Sequence, residues 1–395
     1  MLKRKRVIFL LSHPIQYFSP LFQKMAQDPN IDLLVLYCSD ENVKGHIDKG
    51  FGVEVKWDID LLKGYNYKFL KNNSWKPSIF KGFFGLINLQ IFQELKSEKG
   101  SYLVIHGWNY FTHIFAIIEG KLLGYKVCIR GDNPYNQEII KNKKLILLKK
   151  YLHGNLLFNI IDFFLYVGKQ NKEYYKFYGV PDNKLIFVPH AVDNARFRND
   201  YEKYKNKKPE LRKELRLPEE KIIILFSGKF IHKKKPMDLL AAYNLLKNEN
   251  AALIFLGDGE LRKEMEEYAK TNNLKNVLLT GFKNQSEIGK YFAIADIFVL
   301  PSGSGETWDL VVNEAMNFEL PIIVSDLVGC GDDLVKEDYN GFKYPCGNIE
   351  KLKNKLELLI TDNILRAKMG SNSLELIPEY SYGKIINSII KLEEK

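Results

Sequence analysis

Short apolar runs alternate with longer amphipathic stretches along the whole chain. In the first half the runs lie at residues 7–12, 33–37, 102–106, 126–130, 163–167 and 185–188. In the second half they lie at 222–227, 252–256, 277–280, 297–300 and 322–325. Strands that are hydrophobic throughout are typical of parallel sheets, because helices cover both faces of such sheets. The runs therefore predict the strands of parallel sheets.

Helical patterns fill the intervals between these runs. The clearest lie at 237–246, 261–271, 286–295 and 351–361, and a short amphipathic helix is predicted at the end, over 382–395. Strands alternating with helices in two successive series predict an α/β chain of two Rossmann-like domains. We expect an N-terminal domain at 1–198, a polar linker at 199–209, a C-terminal domain at 210–377, and a helical segment at 378–395 that crosses back to the first domain.

Length and composition agree with two globular domains in a reducing compartment. The chain has 395 residues, 46% of them hydrophobic and 27% charged, and one hydrophobic core rarely grows so large. The four cysteines are far apart and form neither a disulfide framework nor a zinc motif. The basic start resembles a signal peptide only superficially, and no run reaches the length of a spanning helix. We therefore expect a cytoplasmic protein.

The positive charge is concentrated in the first half of the chain. Residues 1–198 carry about +12 and the remainder about −2, within a formal net charge of +10. This asymmetry indicates an anionic partner for the first half: phospholipid headgroups, a polyprenyl-phosphate or lipopolysaccharide acceptor, or nucleic acid. Two basic and aromatic stretches, 75–84 and 141–152, suit an interfacial element on an anionic membrane, or equally a core helix with a solvated basic face.

The loops after two predicted strands of the second half carry the candidate chemistry, since ligands of open α/β sheets bind beyond the carboxyl ends of the strands. After the strand that ends at Leu300, a Gly- and Ser-rich turn leads to a helix, with Glu306 before it and Glu314 within it. The start of a helix suits a diphosphate. The alternative for the two acids is a helix cap and a solvated helical side chain.

A second loop supplies cations. Gly228 and Lys229 follow the strand at 222–227, and a lysine cluster that includes Lys234 precedes the next helix. Ammonium groups can neutralise a leaving diphosphate. The alternative is a solvated surface at a helix start.

These motifs together resemble the donor-binding domain of the retaining glycosyltransferases of family 4, which have the GT-B fold. The resemblance covers about residues 160–390. It rests on Gly228-Lys229 with Lys234, Leu256-Gly257-Asp258-Gly259, Gly281-Phe282, the segment 295–302, Glu306 with Glu314, the strand 321–325, and Asn340-Gly341-Phe342. It implies two domains that face each other across a cleft, an N-terminal acceptor-binding domain and a C-terminal domain that binds a nucleotide-sugar donor.

The resemblance also implies a role for each matching position. Lys229 and Lys234 would grip the donor diphosphate, Glu306 would contact sugar hydroxyls, and Glu314 would hold the ribose. Backbone N–H groups of Trp308, Asp309 and Leu310 would contact sugar or phosphate, and Gly281, Phe282 and Lys283 would border the base. Transfer would proceed with retention, without a metal and without any other cofactor.

Several positions depart from the family pattern. The family usually has glycine at the position of Asp309, whose carboxylate would repel a diphosphate unless it points away or caps the helix. A histidine often follows the first-domain strand that here ends at Arg130, and this chain offers Arg130 and Asp132 instead. Asp132 is either an acceptor-side base or part of a turn with Asn133-Pro134. Further acceptor-side candidates are His13 and His106, which follow strands; the alternative for each is loop packing.

We expect a glycosyltransferase that moves a sugar from a nucleotide sugar to a lipid-linked or polysaccharide acceptor in cell-surface glycan biosynthesis, on the inner face of the membrane. An epimerase or a phosphorylase on the same scaffold is the alternative enzyme. A basic nucleic-acid-binding protein is the non-enzyme alternative, but no nucleic-acid motif accompanies the charge, so nucleic acid is not the expected partner.

Overall fold

The computed structural model describes residues 4–41, 43, 46–48, 50, 53–55, 57–98 and 100–394. The chain forms two compact units. The N-terminal unit comprises the described residues within Met1–His46, Val55–Pro189 and Tyr382–Lys395, and the C-terminal unit those within Ile47–Glu54 and His190–Ser381. Each unit is built around its own parallel sheet.

The N-terminal unit contains a seven-stranded parallel sheet. Its strands are β1 (Lys5–Leu11), β2 (Ile31–Tyr37), β5 (Tyr67–Phe69), β6 (Tyr102–His106), β7 (Lys126–Arg130), β8 (Phe163–Tyr166) and β9 (Leu185–Phe187), in the order β5-β2-β1-β6-β7-β8-β9. Strands β3 (His46–Asp48) and β4 (Val53–Val55) pair with each other. Central β1 pairs with β2 from Lys5↔Ile31 to Leu11↔Tyr37. Its residues 7–11 are buried, as the apolar run predicts.

Helices cover this sheet on both faces. They are α1 (Ser19–Gln27), α2 (Ile91–Ser97), α3 (Phe111–Leu122), α4 (Tyr135–Glu138), α5 (Lys143–Lys149) and α6 (Lys169–Phe177), with a π-helix at Lys150–Leu157 directly after α5. The core combines aliphatic strand residues with an aromatic cluster around Phe158, Tyr174, Tyr175 and Tyr178.

The C-terminal unit contains a six-stranded parallel sheet. Its strands are β10 (Ile222–Ser227), β11 (Ala251–Leu256), β12 (Val277–Leu279), β13 (Ile297–Leu300), β14 (Ile322–Ser325) and β15 (Gly341–Tyr344), in the order β12-β11-β10-β13-β14-β15. Its helices are α7 (Asn194–Tyr204), α8 (Lys208–Glu214), α9 (Pro236–Leu246), α10 (Arg262–Thr271), α11 (Gln285–Ile294), α12 (Leu310–Met316), α13 (Gly331–Leu334), α14 (Ile349–Thr361) and α15 (Asn363–Leu376). Two Rossmann-like α/β units confirm the predicted fold class.

The stretch expected as a polar linker, 199–209, is helical. Helix α7 extends to Tyr204, a 3₁₀ turn follows at Lys205–Lys207, and α8 begins at Lys208. Helix α7 is anchored by Phe197 and Tyr201, four residues apart on one helical face, and both rings pack on Phe318. Two aromatic residues among many charged ones do not produce an apolar periodicity. The segment was predicted to be a linker because that periodicity is absent.

The C-terminal helix α16 (Tyr382–Ile390) belongs to the N-terminal unit, as expected. Its apolar face buries Ile385, Ile386 and Ile389. The Tyr382 hydroxyl donates to the Tyr17 carbonyl at 2.8 Å, and the Lys5 ammonium donates to the carbonyl of Ile390. Within the described part of the chain, no helix has the length and apolar character that crossing a bilayer requires.

Candidate active site

The loop after β10 brings a lysine to the carboxyl edge of the second sheet. The Gly228 amide donates to the Leu256 carbonyl at 3.0 Å, which keeps the chain beside β11 as it leaves β10. The chain then enters a 3₁₀ turn at His232–Lys234, just before α9. Lys234 folds back over this loop, with its Cε 3.8 Å from where a Cβ on Gly228 would lie. A side chain at residue 228 would therefore meet the lysine.

The turn after β13 is fastened to the same lysine segment. The Gly303 amide donates to the Lys233 carbonyl at 2.7 Å, and Gly305 has φ 94° with the Lys233 side chain 3.2 Å from its missing Cβ. On the other side, the Gly329 amide donates to the Glu306 carbonyl at 3.2 Å. Loops that are far apart in sequence thus hold Glu306 in place through backbone hydrogen bonds.

An ion cluster forms where these loops meet. The Lys234 ammonium lies 2.6 Å from a Glu306 carboxylate oxygen and also pairs with Asp309, while Lys233 lies 3.5 Å from Glu306. The side chains of Lys234 and Asp309 are each 12% exposed and that of Glu306 is 7% exposed. Weak screening by solvent makes these interactions stronger than surface ion pairs.

The cluster shifts the ionisation of its members. Burial acts to lower the pKa of Lys234, but the Asp309 and Glu306 carboxylates outweigh it and raise that pKa above its usual value. Burial and the Asp309 charge raise the pKa of Glu306, against the opposing effect of Lys234 and Lys233. A cationic lysine therefore pairs with two largely buried carboxylates.

Asp309 neither points away from the lysines nor caps the helix. It occupies the position before α12 with φ 76°, a backbone conformation that favours glycine, and its side chain makes no capping hydrogen bond. Its carboxylate is committed to Lys234 instead. The pairing of an acid with the lysine expected to hold phosphate was not foreseen from the sequence.

The remaining predicted donor residues of α12 are mostly buried. Trp308 is buried and its indole donates to the Asn313 side-chain oxygen at 3.0 Å. Asn313 in turn donates to the His190 carbonyl at 3.3 Å. Glu314 is buried one turn into the helix that Leu310 begins. Asn313, which orients Trp308, and Lys233 were not among the predicted site residues; the lysine run was the only signal for Lys233.

Lys229, Phe282 and Lys283 lie on the same carboxyl edge of the sheet. Lys229 is half-buried directly after β10, and Phe282 and Lys283 follow β12, which β11 separates from β10. Gly281 bridges to Gly257 across these loops, and the Lys283 ammonium lies 3.7 Å from Glu287 in the first turn of α11. The predicted base-bordering residues therefore stand two strands away from the loop that carries Lys234.

The acceptor-side candidates gather at the carboxyl edge of the first sheet. His106 ends β6 and pairs in register with Arg130 at the end of β7, and the Phe18 ring contacts both, 4.6 Å from the His106 ring and 5.7 Å from the guanidinium. Arg130 is buried and donates to the Pro189 carbonyl at 2.8 Å. Burial lowers its pKa to about 10, opposed by the Asp132 charge.

His13 lies at the same edge, after β1. Its ring Nδ1 is 2.9 Å from the Ser12 hydroxyl. The four candidates His13, His106, Arg130 and Asp132 thus follow three adjacent strands, β1, β6 and β7. Their placement at one edge agrees with the sequence-based expectation, and their roles stay predictions.

Residues 207–375 match the family model of the glycosyl transferases group 1. An uncharacterized glycosyltransferase of Methanocaldococcus jannaschii is 30% identical over 171 residues, so this match spans 43% of the chain and about half (47%) of that relative. A Campylobacter jejuni protein, N,N'-diacetylbacillosaminyl-diphospho-undecaprenol alpha-1,3-N-acetylgalactosaminyltransferase, is 23% identical over 392 residues, 98% of both chains.

Solved structures share the fold over the whole chain. A glycosyltransferase from Rickettsia africae ESF-5 superposes with a TM-score of 0.75 at 14% identity, covering 99% of both chains. Anabaena HepE in complex with UDP superposes with a TM-score of 0.74 at 14% identity, covering 99% of this chain and 100% of that one. Residues 207–375 are therefore similar to the glycosyl transferases group 1, and the chain as a whole has the GT-B fold.

Proposed function

We propose that the protein transfers a sugar from a nucleotide-diphosphate sugar to a lipid-linked or polysaccharide acceptor, with retention of the anomeric configuration. The observation that carries this proposal is the Lys234 ammonium, held 2.6 Å from Glu306 where the loops after β10 and β13 meet. This is the sheet edge at which ligands of open α/β folds bind. One cation and one carboxylate at that edge match the two halves of the donor, its diphosphate and its sugar.

The lysines serve the departing diphosphate. Cleavage of the bond to the anomeric carbon leaves negative charge on the diphosphate, and a preorganised cation at that point stabilises the transition state more than the ground state. Lys234 is kept cationic by its carboxylate neighbours, and Lys233 and Lys229 add charge in the same loop. This charge does the work that a bound metal ion does in other transferases, so we propose a reaction independent of metals and cofactors.

Glu306 serves the sugar. A carboxylate accepts hydrogen bonds from adjacent hydroxyls. The Gly329 amide donates to the Glu306 carbonyl and the Gly303 amide to the Lys233 carbonyl, and these two bonds hold the turn that carries Glu306. Glu314, within α12, would take the ribose hydroxyls, and Phe282 and Lys283 would border the base. The departing diphosphate and the attacking hydroxyl would use the same face of the sugar.

The acceptor assignment draws on the relatives. The Campylobacter protein that aligns along 98% of both chains is named for transfer to an undecaprenol-diphosphate-linked sugar. The N-terminal unit offers His13, His106, Arg130 and Asp132 at one sheet edge for an acceptor hydroxyl and its carrier phosphate. We propose an acceptor of this lipid-linked class, used in the assembly of a cell-surface glycan.

Transfer assays with alanine variants test the proposal. Glu306→Ala, Lys234→Ala and Lys229→Ala should each lower kcat/KM by about 100-fold or more, since each removes a group that stabilises the transition state. The exposed Lys263, on α10 of the same unit, provides the matched control Lys263→Ala, which should keep full activity. Full activity in all three site variants, with folding verified by circular dichroism, contradicts the assignment.

The stereochemistry has its own test. NMR of the product should show the anomeric configuration of the donor, because attack occurs on the face from which the diphosphate leaves. An inverted product would leave glycosyl transfer standing and overturn retention. Product formed without any acceptor would indicate an epimerase instead.

A further inference from the structure

Two segments of the N-terminal unit that lie about 70 residues apart line one apolar groove. Phe83 lines it together with Trp108 and with Leu152 and Leu156 of the π-helix. The groove has a volume of about 670 Å³. It therefore joins the two basic and aromatic stretches, 75–84 and 141–152, into one surface.

This surface is strongly apolar around the groove. Within Lys143–Leu157, which spans α5 and the π-helix, no residue is buried. The Leu147 side chain is 67% exposed, whereas leucines of a hydrophobic core are typically fully buried. Other large exposed apolar side chains of the two stretches include Trp75, Phe80, Phe84, Leu145, Leu148 and Tyr151. An apolar patch of this kind marks a binding surface.

The same surface is positively charged and firmly anchored. Residues 138–152 contain five lysines and a single acid, Glu138. Glu138 is buried and holds Lys141 and Lys149, each at 2.7 Å, while the Tyr178 hydroxyl donates to it at 2.7 Å. Lys143 and Lys144 are exposed beside the leucines. The segment thus exposes apolar side chains next to lysines, and its ion pairs with the buried Glu138 hold it in place.

We propose that this face docks on an anionic lipid bilayer and that its groove takes a hydrocarbon chain of a bilayer lipid. Exposed leucines and aromatic rings enter the boundary between headgroups and acyl chains, and lysines pair with anionic headgroups. A second copy of the chain is a poor occupant, because it would bring the same lysines together without neutralising them. This inference goes beyond sugar transfer, and it holds whatever donor the C-terminal unit binds.

Co-sedimentation with vesicles tests the docking, with neither donor nor acceptor present. The protein should bind vesicles of phosphatidylglycerol and phosphatidylcholine, and at least 10-fold more weakly vesicles of phosphatidylcholine alone. Added salt should weaken binding to the anionic vesicles.

Paired variants locate the surface. Leu147→Glu combined with Leu148→Glu, and separately Lys143→Glu combined with Lys144→Glu, should each reduce binding at least 10-fold. The controls lie on the other unit: Ile364→Glu, at a side chain 78% exposed, and Lys263→Glu combined with Lys270→Glu should bind as the unmodified protein does. Since all these positions are exposed, thermal melting should show every variant folded.

Fluorescence quenching tests the groove separately. To remove the exposed Trp75 of the same face, both proteins carry Trp75→Phe; vesicles with bromine on the acyl chains should quench emission more in this variant than in the same variant with Trp108→Phe added, since Trp108 lines the groove. Equal quenching in both proteins overturns occupation of the groove by a lipid chain.

Three results overturn the docking itself. The first is unchanged binding by the Leu147→Glu, Leu148→Glu variant. The second is binding only after polyprenyl phosphate is added to the vesicles, which would assign the face to the acceptor. The third is a stable dimer, by sedimentation velocity, that the leucine variant dissociates.

Discussion

At the scale of single residues, Asp309 departs from the glycine that the resemblance to family 4 implies at its position. The residue combines a backbone conformation suited to glycine, φ 76°, with a carboxylate that pairs with Lys234. In the proposed mechanism a donor diphosphate must compete with this carboxylate for the ammonium group. In that mechanism Asp309 lowers the affinity of the site for the donor.

Two replacements of Asp309 distinguish the effect of its backbone conformation from the effect of its carboxylate. Asp309→Gly and Asp309→Ala both remove the competing carboxylate, so both should bind the donor several-fold more tightly than the unmodified protein in titration calorimetry. Only glycine relieves the strained backbone, so Asp309→Gly should be more stable than Asp309→Ala by roughly 1 kcal/mol in urea denaturation. Weaker donor binding in both variants would show that Asp309 binds the donor directly.

At the scale of elements, the apolar runs located the strands because buried parallel strands are hydrophobic throughout. Central strands such as β10 and β13 lie where the sequence predicts them. Strands β3, β4, β5 and β15 were missed. Strand β5 (Tyr67–Phe69) is short and largely exposed at a sheet edge, and β15 (Gly341–Tyr344) begins with glycine. A largely exposed strand such as β5 lacks the two-sided burial that produces an apolar run, whereas glycine and lysine interrupt the apolar run in the mostly buried β15.

Helix α3 carries a histidine on its buried face, which links its packing to pH. His113 is 2% exposed, and among the described residues neither of its ring nitrogens has a hydrogen-bond partner. Burial lowers the pKa of His113 to about 4 from its ordinary value of 6.5. Between pH 6.5 and about 4, His113 therefore binds a proton in the unfolded chain but not in the folded protein.

This difference predicts a loss of stability in acid. The contribution of neutral His113 is fully present above pH 6.5 and is lost as the pH falls toward 4, with a total of roughly 3 kcal/mol. Urea denaturation at pH 7.5 and 4.5 should show a smaller fall in the free energy of unfolding for His113→Leu than for the unmodified protein. The exposed His232 provides the control, His232→Leu, which should keep the full fall. An identical pH dependence for His113→Leu contradicts the argument.

At the scale of the whole molecule, the sequence predicts two α/β units and the loops that carry chemistry, but not the contacts between loops. Lys234 and Glu306 were named from motif order, and the structure places them 2.6 Å apart. The Lys234–Asp309 pair was beyond prediction because it depends on a positive φ at residue 309. The convergence of residues 83 and 152 on one groove depends likewise on packing, which no local pattern encodes.

The proposed function requires that Lys234 and its neighbours bind the diphosphate of a nucleotide sugar. Thermal melting with UDP, GDP and ADP sugars tests this binding, because a ligand that binds only the folded state raises its stability. At least one of these donors should raise the Tm of the unmodified protein and of Lys263→Ala, and Lys234→Ala should lose most of that rise. No shift with any of the three, or an undiminished shift in Lys234→Ala, would show that Lys234 does not bind a donor diphosphate.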